Sequence, residues 1–507
     1  MAHAKICTFE ELALRLTALR AEHKRIVHCH GVFDLLHVGH IRHFAQARGF
    51  GDVLVVTVTP DIYVNKGPDR PAFHELLRAE ALAALASVDL VAINQGPMAL
   101  EAITLIRPDF YVKGSDYRDA AQDVTGGITL EETTVKAHGG QLVFTDEMTF
   151  SSSKLLNRYF APWPPEVSDF MRGFGQRYPS EQVLQSLAAI RNLRTLVIGE
   201  TIIDEYHYCE TLGKSGKEPV LAARYMRSEQ FAGGILAVAN HAANFCDHVG
   251  MVTFLGAHES QEAFIRAKLN PAIKANLLTM ANAPTIVKRR FVETYPFQKL
   301  FEVYVMDDGE RSQPEIASLN ALLQAILPSY DVVIVTDYGH GMLTPETIAL
   351  LCEQAPFLAV NTQVNAGNHG FNTVAKYPHA DYICVSEKEI RLEARQRYSD
   401  LRAIIEEVAA RINCPQLLIT RGKQGCLCYH REHGFFEIPS FAGQVVDRIG
   451  AGDAVFAITA MCAARQVPSE MLGFIGNAVG AQAVGIVGNQ HAINRVALLK
   501  HIDTLLK

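Results

Sequence analysis

The sequence predicts an α/β protein composed of two doubly wound domains. Short apolar, β-branched runs alternate with helical patterns over residues 24–160, and the alternation resumes after about residue 180. At 507 residues the chain exceeds one ordinary hydrophobic core. Three prolines within residues 161–165 interrupt the pattern. We therefore expect a first domain over residues 1–160, a linker over 161–180 and a second domain over 181–507.

The first domain is predicted to contain a parallel sheet covered by helices on both faces. The run at 52–58 is apolar almost throughout, which is typical of a strand buried on both faces. A strand at 25–29 leads through a turn at Gly31 to a helix over 40–48. A helix over 75–87 and a strand at 90–93 continue the alternation.

The second domain repeats the pattern with strands at 195–199, 331–335 and 416–420. Residues 206–231 differ, because they are polar, aromatic, β-rich and punctuated by glycine. This segment predicts a small antiparallel β lid beside the main sheet. The two halves show no mutual repeat, so duplication of one domain is not expected.

Composition narrows the class of protein. The chain is 49% hydrophobic and 20% charged, as in soluble globular proteins, and its net charge of −7 argues against a general nucleic-acid binder. Its ten cysteines are scattered without zinc-binding spacing. There is neither an apolar signal core nor a run of membrane-spanning length. We expect a cytoplasmic protein without nucleic-acid or membrane partners.

A first candidate site lies at His37 and His40, which are separated by Val38-Gly39 just before a helix. Gly39 lets the backbone approach a phosphate, and the start of the helix contributes its positive end. Two histidines there can donate hydrogen bonds to phosphate oxygens as charge develops in a transition state. This pattern predicts catalysis at the α-phosphate of a nucleotide.

Residues 24–160 resemble the H-x-G-H nucleotidyltransferase superfamily, which implies a Rossmann-like fold with His37 and His40 as catalytic residues. The resemblance extends to a basic segment over 66–71, a K-G-x-D-Y turn at 113–117 and a serine run at 151–153. The nucleotide- and phosphate-binding residues that it implies are Gly31, Phe33, Lys66, Arg70, Arg78, Lys113, Ser151, Ser152 and Ser153. Asp146 stands where cytidylyltransferases of the glycerol-phosphate type usually have arginine. This difference favours ATP over CTP, and CTP stays the alternative.

A second candidate site is Gly450-Ala451-Gly452-Asp453, which precedes an alanine-rich helix over 454–464. Small residues leave the amides at the helix start open to a transferring phosphoryl group. Asp453 can take the proton from an attacking hydroxyl. With Asp447, the segment forms the pattern D-x-x-G-A-G-D.

That pattern resembles the ribokinase-like (PfkB) sugar kinases, and the resemblance extends through residues 181–507. It implies that Asp453 is the catalytic base and that Gly450, Ala451 and Gly452 bind phosphate. The other residues that it implies are Asp204, Gly233 and Gly234 for the sugar, Thr420, Gly422 and Gly425 for ATP, and Glu387 for a metal. Asn477 is either a nucleotide contact or a helix-surface amide. The basic run 288–290 either meets a sugar phosphate or is a solvated face.

Both halves most resemble the bifunctional ADP-heptose synthase family, with the domain order reversed. Asn361-Thr362-Gln363 replaces the usual Asp-Pro-Lys, and Cys384 replaces the asparagine of an N-x-x-E element, which leaves the acceptor sugar open. The resemblance implies a transferase with two activities. The second domain would phosphorylate a sugar phosphate with ATP at its anomeric hydroxyl. The first would transfer a nucleotidyl group, AMP from ATP, to a sugar 1-phosphate and release pyrophosphate.

Mg²⁺ is expected as cofactor in both halves, because it neutralises polyphosphate charge. Homodimerisation through the lid is expected from the same resemblance. One alternative keeps the nucleotidyltransferase active and makes the kinase-like half a sugar-binding regulatory module.

Overall fold

The chain folds into two compact units. The computed structural model describes residues 2–64, 67, 70–114, 127–145, 163–307, 309, 311–443 and 445–506. The first unit comprises Met1–Pro164 together with Val496–Lys507, and the second unit comprises Pro165–Arg495. Among the described residues, no helix is both long and apolar enough to cross a membrane.

The first unit contains a five-stranded parallel sheet in the order β3-β2-β1-β4-β5. Its strands are β1 (Ile26–Gly31), β2 (Val53–Val58), β3 (Leu90–Ile93), β4 (Phe110–Lys113) and β5 (Gln141–Phe144). The helices before and between them are α1 (Phe9–Ala21), α2 (Val38–Arg48), α3 (Glu75–Ala83), α4 (Leu100–Ile106) and α5 (Gly127–Ala137). The strand order reverses between β1 and β4, and such a switch point is where open α/β sheets bind ligands.

Every residue of β2 is buried, which accounts for the continuous apolar run at 53–58. One hydrophobic cluster joins Val56 of β2 to Phe44 of α2, and a second joins Val55 to Leu16 of α1. Because Val55 and Val56 point to opposite faces, the sheet is covered on both sides. The prediction of a Rossmann-like, doubly wound first domain is confirmed.

The second unit contains a nine-stranded sheet in the order β10-β9-β6-β13-β14-β15-β16-β17-β18. It is parallel from β10 to β16, and β17 and β18 are antiparallel. Its strands are β6 (Arg194–Gly199), β9 (His248–His258), β10 (Lys274–Pro284), β13 (Val332–Asp337), β14 (Leu358–Thr362), β15 (Tyr382–Ser386), β16 (Gln416–Thr420), β17 (Cys426–His430) and β18 (Gly434–Ile438).

The helices of the second unit flank this sheet and complete the α/β pattern. They are α6 (Pro165–Arg177), α7 (Ser180–Ala189), α8 (Ile235–Ala243), α9 (Glu262–Lys268), α10 (Gln313–Ile326), α11 (Pro345–Gln354), α12 (Glu387–Glu393), α13 (Leu401–Arg411), α14 (Ala451–Ala464) and α15 (Ser469–Ala483). The last helix of the chain is α16 (Arg495–Leu505).

A separate four-stranded sheet in the order β12-β11-β7-β8 forms the lid. The antiparallel pairing of β7 (Thr201–Lys214) with β8 (Leu221–Gly234) confirms the lid predicted at 206–231. The lid also includes β11 (Ile286–Glu293) and β12 (Gln298–Val305), which the sequence did not identify as lid strands. The basic run 288–290 therefore lies within the lid.

The structure differs from the sequence prediction at two domain borders. Within the expected linker, α6 begins at Pro165, where proline suits the first helical position, and Phe174 stacks on Phe474 with ring centroids 4.2 Å apart. At the other end of the chain, residues 496–507 group with the first unit, although the sequence prediction assigned them to the second. The apolar residues of α16 are buried there, and no local sequence pattern shows on which core they pack.

Candidate active sites

In the first unit, His37 and His40 stand together at the start of α2. His37 is the N-cap residue, and its Nδ1 accepts a hydrogen bond from the amide of Gly39 at 3.1 Å. Its proton is therefore on Nε2. The two imidazole rings stack with centroids 4.0 Å apart. Burial lowers the pKa of His37, so this ring is neutral at pH 7 and its hydrogen-bond donor is Nε2.

Gly31 and Phe33 shape the loop that leads to this pair. Phe33 has a positive φ of 52°, and a Cβ on Gly31 would lie 2.9 Å from Cζ of its ring. The ring in turn meets His40 edge-on, with centroids 5.5 Å apart. Gly31 is therefore needed so that Phe33 can support His40.

Arg70 is tied to the loop after β1 by an ion pair with Asp34, whose carboxylate lies 3.2 Å from Nη1. Asp34 is buried, and its other oxygen accepts hydrogen bonds from the amides of Ala72 and Phe73 at 2.7 and 3.1 Å. The predicted triphosphate-binding segment is thus held against the histidine loop. Lys66, Asp146 and the serines Ser151, Ser152 and Ser153 lie outside the described residues.

Arg78 is 1% exposed, and its donors are used within the protein. Nε donates to the carbonyl of Phe73 at 2.9 Å, and Nη2 donates to the carbonyl of Thr59 at 2.9 Å and to Asp61. Nη1 donates to the carbonyl of Val32. This geometry makes Arg78 a residue that positions the loop around Val32, in place of the direct nucleotide contact that the family resemblance implies.

Lys113 ends β4 on the far side of the switch point from β2. Its ammonium forms a buried ion pair with Glu131 of α5 at 2.8 Å. Burial, and then the charge of Lys113, lower the pKa of His43 on α2 to about 4. Nδ1 of His43 lies 2.9 Å from Oγ1 of Thr145. These contacts gather α2, β4 and the end of β5 around one edge of the sheet.

In the second unit, the G-A-G-D segment forms the start of α14. Gly450 is the N-cap residue with φ of 79°, and a Cβ there would lie 2.0 Å from Oδ1 of Asn489. Ala451, Gly452 and Asp453 form the first turn, so the helix begins three residues earlier than predicted. Nothing lies within 4 Å of a Cβ built on Gly452. The helix start therefore has open space for a phosphoryl group beside its amides.

Asp453 accepts a hydrogen bond from the hydroxyl of Tyr338 at 2.9 Å. Burial raises the pKa of Asp453 to about 7, the Tyr338 hydrogen bond opposes that rise, and the nearby charge of Asp204 adds to it. Tyr338 is itself positioned by Glu200. The carboxylate of Glu200 accepts hydrogen bonds from the backbone amides of Tyr338 and His340 at 3.0 Å each. A carboxyl group with a pKa of about 7 is suited to act as a general base near neutral pH.

We expect Tyr338→Phe to shift the pH profile of kinase turnover to higher pH. The change removes a hydrogen bond that favours the ionised carboxylate, so the pKa of Asp453 rises above about 7 and less base is present at pH 7. The measurement is the initial rate of ADP formation from pH 5.5 to 9. Phe371→Leu, at an exposed aromatic of the second unit, is the control. If the midpoint of the pH profile is the same in Tyr338→Phe as in the wild type, Asp453 is not the group that titrates in the kinase reaction.

The sugar-binding residues implied by the resemblance lie beside Asp453. Asp204 forms a buried ion pair with Arg290 of β11, and a Cβ on Gly233 would lie 2.3 Å from Oδ2 of Asp204. Gly234 has a φ of 54° and is the N-cap residue of α8. Any residue larger than glycine at position 233 would therefore collide with the carboxylate of Asp204.

Strand alternation divides the basic run 288–290 between the two faces of the lid. Lys288 and Arg290 are 5% and 7% exposed and share the face of Asp204, so neither belongs to a solvated surface. Arg289 points the other way and pairs with Glu205. Burial lowers the pKa of Lys288, although Asp204 opposes the shift. Lys288 and Arg290 thus lie buried beside Asp204, and Arg290 also pairs with Glu302 at 2.9 Å.

Asp447 connects the lid to the start of α14. Its side chain is buried. The carboxylate accepts hydrogen bonds from the hydroxyl of Tyr206 at 2.7 Å, from Nζ of Lys299 at 2.5 Å and from the backbone amide of Gly488 at 2.9 Å. Tyr206 and Lys299 come from β7 and β12, far from Asp447 in sequence. Sequence reasoning missed both partners, because no local motif marks them.

The residues expected near ATP lie at the β16–β17 turn and on α15. Thr420 ends β16, Gly422 has φ of 58°, and a Cβ on Gly425 would lie 2.0 Å from the carbonyl oxygen of Ile438. Asn477 donates from Nδ2 to that same carbonyl at 3.3 Å. This contact ties α15 to the end of β18.

Glu387, the expected metal ligand, has both carboxylate oxygens paired with arginine. Oε1 lies 2.8 Å from Nε of Arg391, and Oε2 lies 3.2 Å from Nε of Arg421. Burial opposes ionisation, but these pairs outweigh it and lower the pKa of Glu387. Because guanidinium groups engage both oxygens, Glu387 does not fit a direct magnesium ligand in this arrangement.

The two unusual positions of the second unit contact each other. The side-chain amide of Asn361 donates to the backbone carbonyl of Cys384 at 2.6 Å, across neighbouring strands β14 and β15. These two departures from the sugar-kinase pattern are therefore in contact, between the carboxyl end of β14 and the middle of β15.

Comparison with known proteins places this architecture in a family. The family model described as pfkB family carbohydrate kinase matches residues 192–495, more than half of the chain. The chain belongs to the pfkB family of carbohydrate kinases. The pfkB match ends at the residue where the second unit ends. A second model, described as cytidylyltransferase-like, matches residues 28–158 of the first unit.

Curated relatives of this pfkB family member align with the N-terminal part. The chain is 39% identical over 159 residues to "Bifunctional protein HldE" of Methylobacillus flagellatus, covering 31% of each protein. It is 43% identical over 161 residues to the protein of the same name from Koribacter versatilis, covering 31% of this chain and 32% of that one. The chain thus spans about a third of the length of the curated relatives it matches.

Among solved structures, phosphofructokinase-2 from Escherichia coli in complex with potassium aligns with a TM-score of 0.52 at 13% identity. The alignment covers 62% of this chain and all of that one. Its complex with fructose-6-phosphate aligns with a TM-score of 0.51 at the same identity. At this identity the comparison shows the fold alone, and it confirms the ribokinase-like prediction for the second domain.

Proposed function

We propose that this protein is a bifunctional transferase of sugar-nucleotide synthesis. The second unit phosphorylates a sugar phosphate with ATP at its anomeric hydroxyl. The first unit transfers a nucleotidyl group, AMP from ATP, to a sugar 1-phosphate and releases pyrophosphate. The observation that carries this proposal is the position of Asp453, a base with a pKa of about 7 at an open helix start beside two buried cations.

In the kinase reaction, Asp453 takes the proton from the sugar hydroxyl as its oxygen attacks the γ-phosphorus. Tyr338 orients the accepting carboxylate, and the amides at the start of α14 stabilise the charge on the transferring group. Lys288 and Arg290 supply the positive charge for the phosphate already on the sugar. The bond from γ-phosphorus to the bridging oxygen breaks, and ADP leaves.

In the nucleotidyl transfer, a sugar phosphate oxygen attacks the α-phosphorus and pyrophosphate leaves. His37 donates from Nε2 and His40 from its ring to the phosphate oxygens that gain charge. Arg70, held by Asp34, offers further positive charge on the pyrophosphate side. The relatives named "Bifunctional protein HldE" align with this half and support the proposal of a heptose-like sugar.

Mg²⁺ accompanies the nucleoside triphosphate in both proposed reactions and supplies neutralisation of phosphate charge. Its ligands would come mainly from the phosphates and water, because Glu387 is engaged by arginines. We propose ATP as the nucleotidyl donor, with CTP as the alternative, since Asp146 replaces the arginine usual in glycerol-phosphate cytidylyltransferases.

A screen of sugar phosphates and sugar 1-phosphates against ATP and CTP, with separate ADP and pyrophosphate readouts, tests this proposal. We expect ADP with a sugar phosphate and pyrophosphate with a sugar 1-phosphate. Absence of either product across a panel of hexose, heptose and pentose phosphates would contradict the corresponding half of the proposal.

A second candidate is a kinase-like half that binds sugar and regulates the first unit without catalysis. The contact between Asn361 and Cys384 favours it, because both belong to elements that differ from the sugar-kinase pattern. Sugar-dependent ADP formation by the full chain carrying His40→Ala would exclude it. Sugar binding without ADP formation, together with altered pyrophosphate release, would support it.

We also propose that the protein is a homodimer paired through the outer face of the lid. This face carries the stacked rings of Phe291 and Phe301, with centroids 4.4 Å apart, and the half-exposed Val303 and Tyr225. We expect Phe301→Glu to convert the dimer to a monomer, because it places a charge in the contact. Phe371→Glu, at an aromatic that is 93% exposed outside the lid, is the control. Sedimentation velocity measures both, and an unchanged mass for Phe301→Glu would contradict this interface.

A further inference from the structure

The last helix of the chain belongs to the unit that begins it. Val496–Lys507 groups with Met1–Pro164, and the pfkB family match stops just before it, at residue 495. Leu498, Leu499 and Ile502 on α16 are buried. The second unit is therefore an insertion between two segments of the first, and α16 serves the first unit's fold.

His501 brings α16 into contact with the predicted triphosphate-binding segment. A Cβ built on Gly67 would lie 2.4 Å from Cδ2 and 2.8 Å from Nε2 of the His501 ring, so Gly67 lies directly against that ring. Gly67 also has a φ of 102°, which disfavours other residues. Three residues later, Arg70 forms its ion pair with Asp34 of the histidine loop. His501 is 1% exposed, so its ring is enclosed where it meets Gly67.

We propose that α16 is a functional part of the nucleotidyl-transfer site, in which His501 positions the Gly67 turn. The inference rests on the proposed nucleotidyltransferase function of the first unit. A helix required only for packing would need its buried leucines and isoleucine, but not an imidazole against Gly67. Because Arg70 follows three residues later, a displaced Gly67 turn would also displace the cation that pairs with Asp34.

The test uses the full chain with His501→Ala and His501→Phe, and with Lys136→Ala on α5 as an exposed control. We expect His501→Ala to raise KM for the nucleoside triphosphate about tenfold, the effect of losing one positioning contact, with a smaller change in kcat. His501→Phe, which keeps a ring against Gly67, should retain most of the affinity. ADP formation by the second unit should be unchanged in all three variants.

Hydrogen–deuterium exchange of residues 61–83 gives a readout that does not depend on turnover. We expect faster exchange in His501→Ala than in the wild type, and wild-type exchange in Lys136→Ala. Unchanged KM and unchanged exchange in His501→Ala would overturn the inference. Loss of both activities with a lowered melting temperature would also overturn it, because α16 would then be only structural.

Failure of the proposed function gives a different result. In that case the wild type releases no pyrophosphate with any sugar 1-phosphate, while the exchange comparison still reports whether His501 supports the Gly67 turn.

Discussion

Asp453→Asn is expected to lower the turnover of sugar-dependent ADP formation by about 10²–10⁴-fold, the usual contribution of a general base. Asparagine keeps the shape of the side chain, and its amide oxygen can still accept the hydrogen bond from the hydroxyl of Tyr338. It cannot take the proton of the attacking hydroxyl. Pyrophosphate release by the first unit should be unchanged. Initial rates of the two products, measured on the same preparation, check this result.

The stability of Asp453→Asn separates loss of chemistry from loss of fold. Folding raises the pKa of Asp453 to about 7, so the folded state holds this proton more tightly than the unfolded chain between about pH 4 and 7. Above pH 7 the ionised carboxylate therefore destabilises the fold. We expect the variant to be at least as stable as the wild type at pH 8. Asp400→Asn, at the exposed N-cap of α13, is the isosteric control and should leave the kinase rate unchanged.

His40→Ala is expected to lower pyrophosphate release by about 10²–10³-fold, the loss seen when one donor to a developing oxyanion is removed. The change removes the ring that stacks on His37 at 4.0 Å, so the remaining imidazole also loses its support. Sugar-dependent ADP formation should continue at the wild-type rate, because Asp453 belongs to the other unit. Coupled assays for pyrophosphate and ADP measure the two effects.

A matched histidine control is available in the same unit. His23 is exposed, lies outside the sheet and has a φ of 55°, a conformation that asparagine tolerates. His23→Asn should therefore leave both activities unchanged. Pyrophosphate release at the wild-type rate in His40→Ala would remove the histidine pair from the mechanism, whatever the folding of the variant.

Local patterns were sufficient to predict the fold class and the presence of a helix at each of the two motifs, although α2 and α14 begin two and three residues earlier than predicted. Strand β16 was predicted with its observed ends, because Gln416–Thr420 is a short buried run between clear turns. The histidine pair and the G-A-G-D segment were recognisable because all residues of each motif lie within ten positions of the chain. Their chemistry depends on helix starts, which sequence marks well.

The supporting contacts could not be predicted, because they join residues distant in the chain. The family resemblance implies a nucleotide contact for Arg78, yet its side chain is buried among the carbonyls of Val32, Thr59 and Phe73. Asp447 is part of a recognisable motif, but its lid partner Tyr206 lies 241 positions away. Such pairings depend on tertiary packing, which periodicity does not encode.

The insertion of the second unit between two segments of the first has a consequence for synthesis on the ribosome. Strands β1–β5 precede the second unit in the chain, but α16 follows it. At 5–20 residues per second, adding residues 165–495 takes roughly 15–65 s, during which the first unit lacks its final helix. The unit that is translated first therefore stays incomplete while the second unit is made, and the pfkB unit is fully translated before α16 can join the first unit.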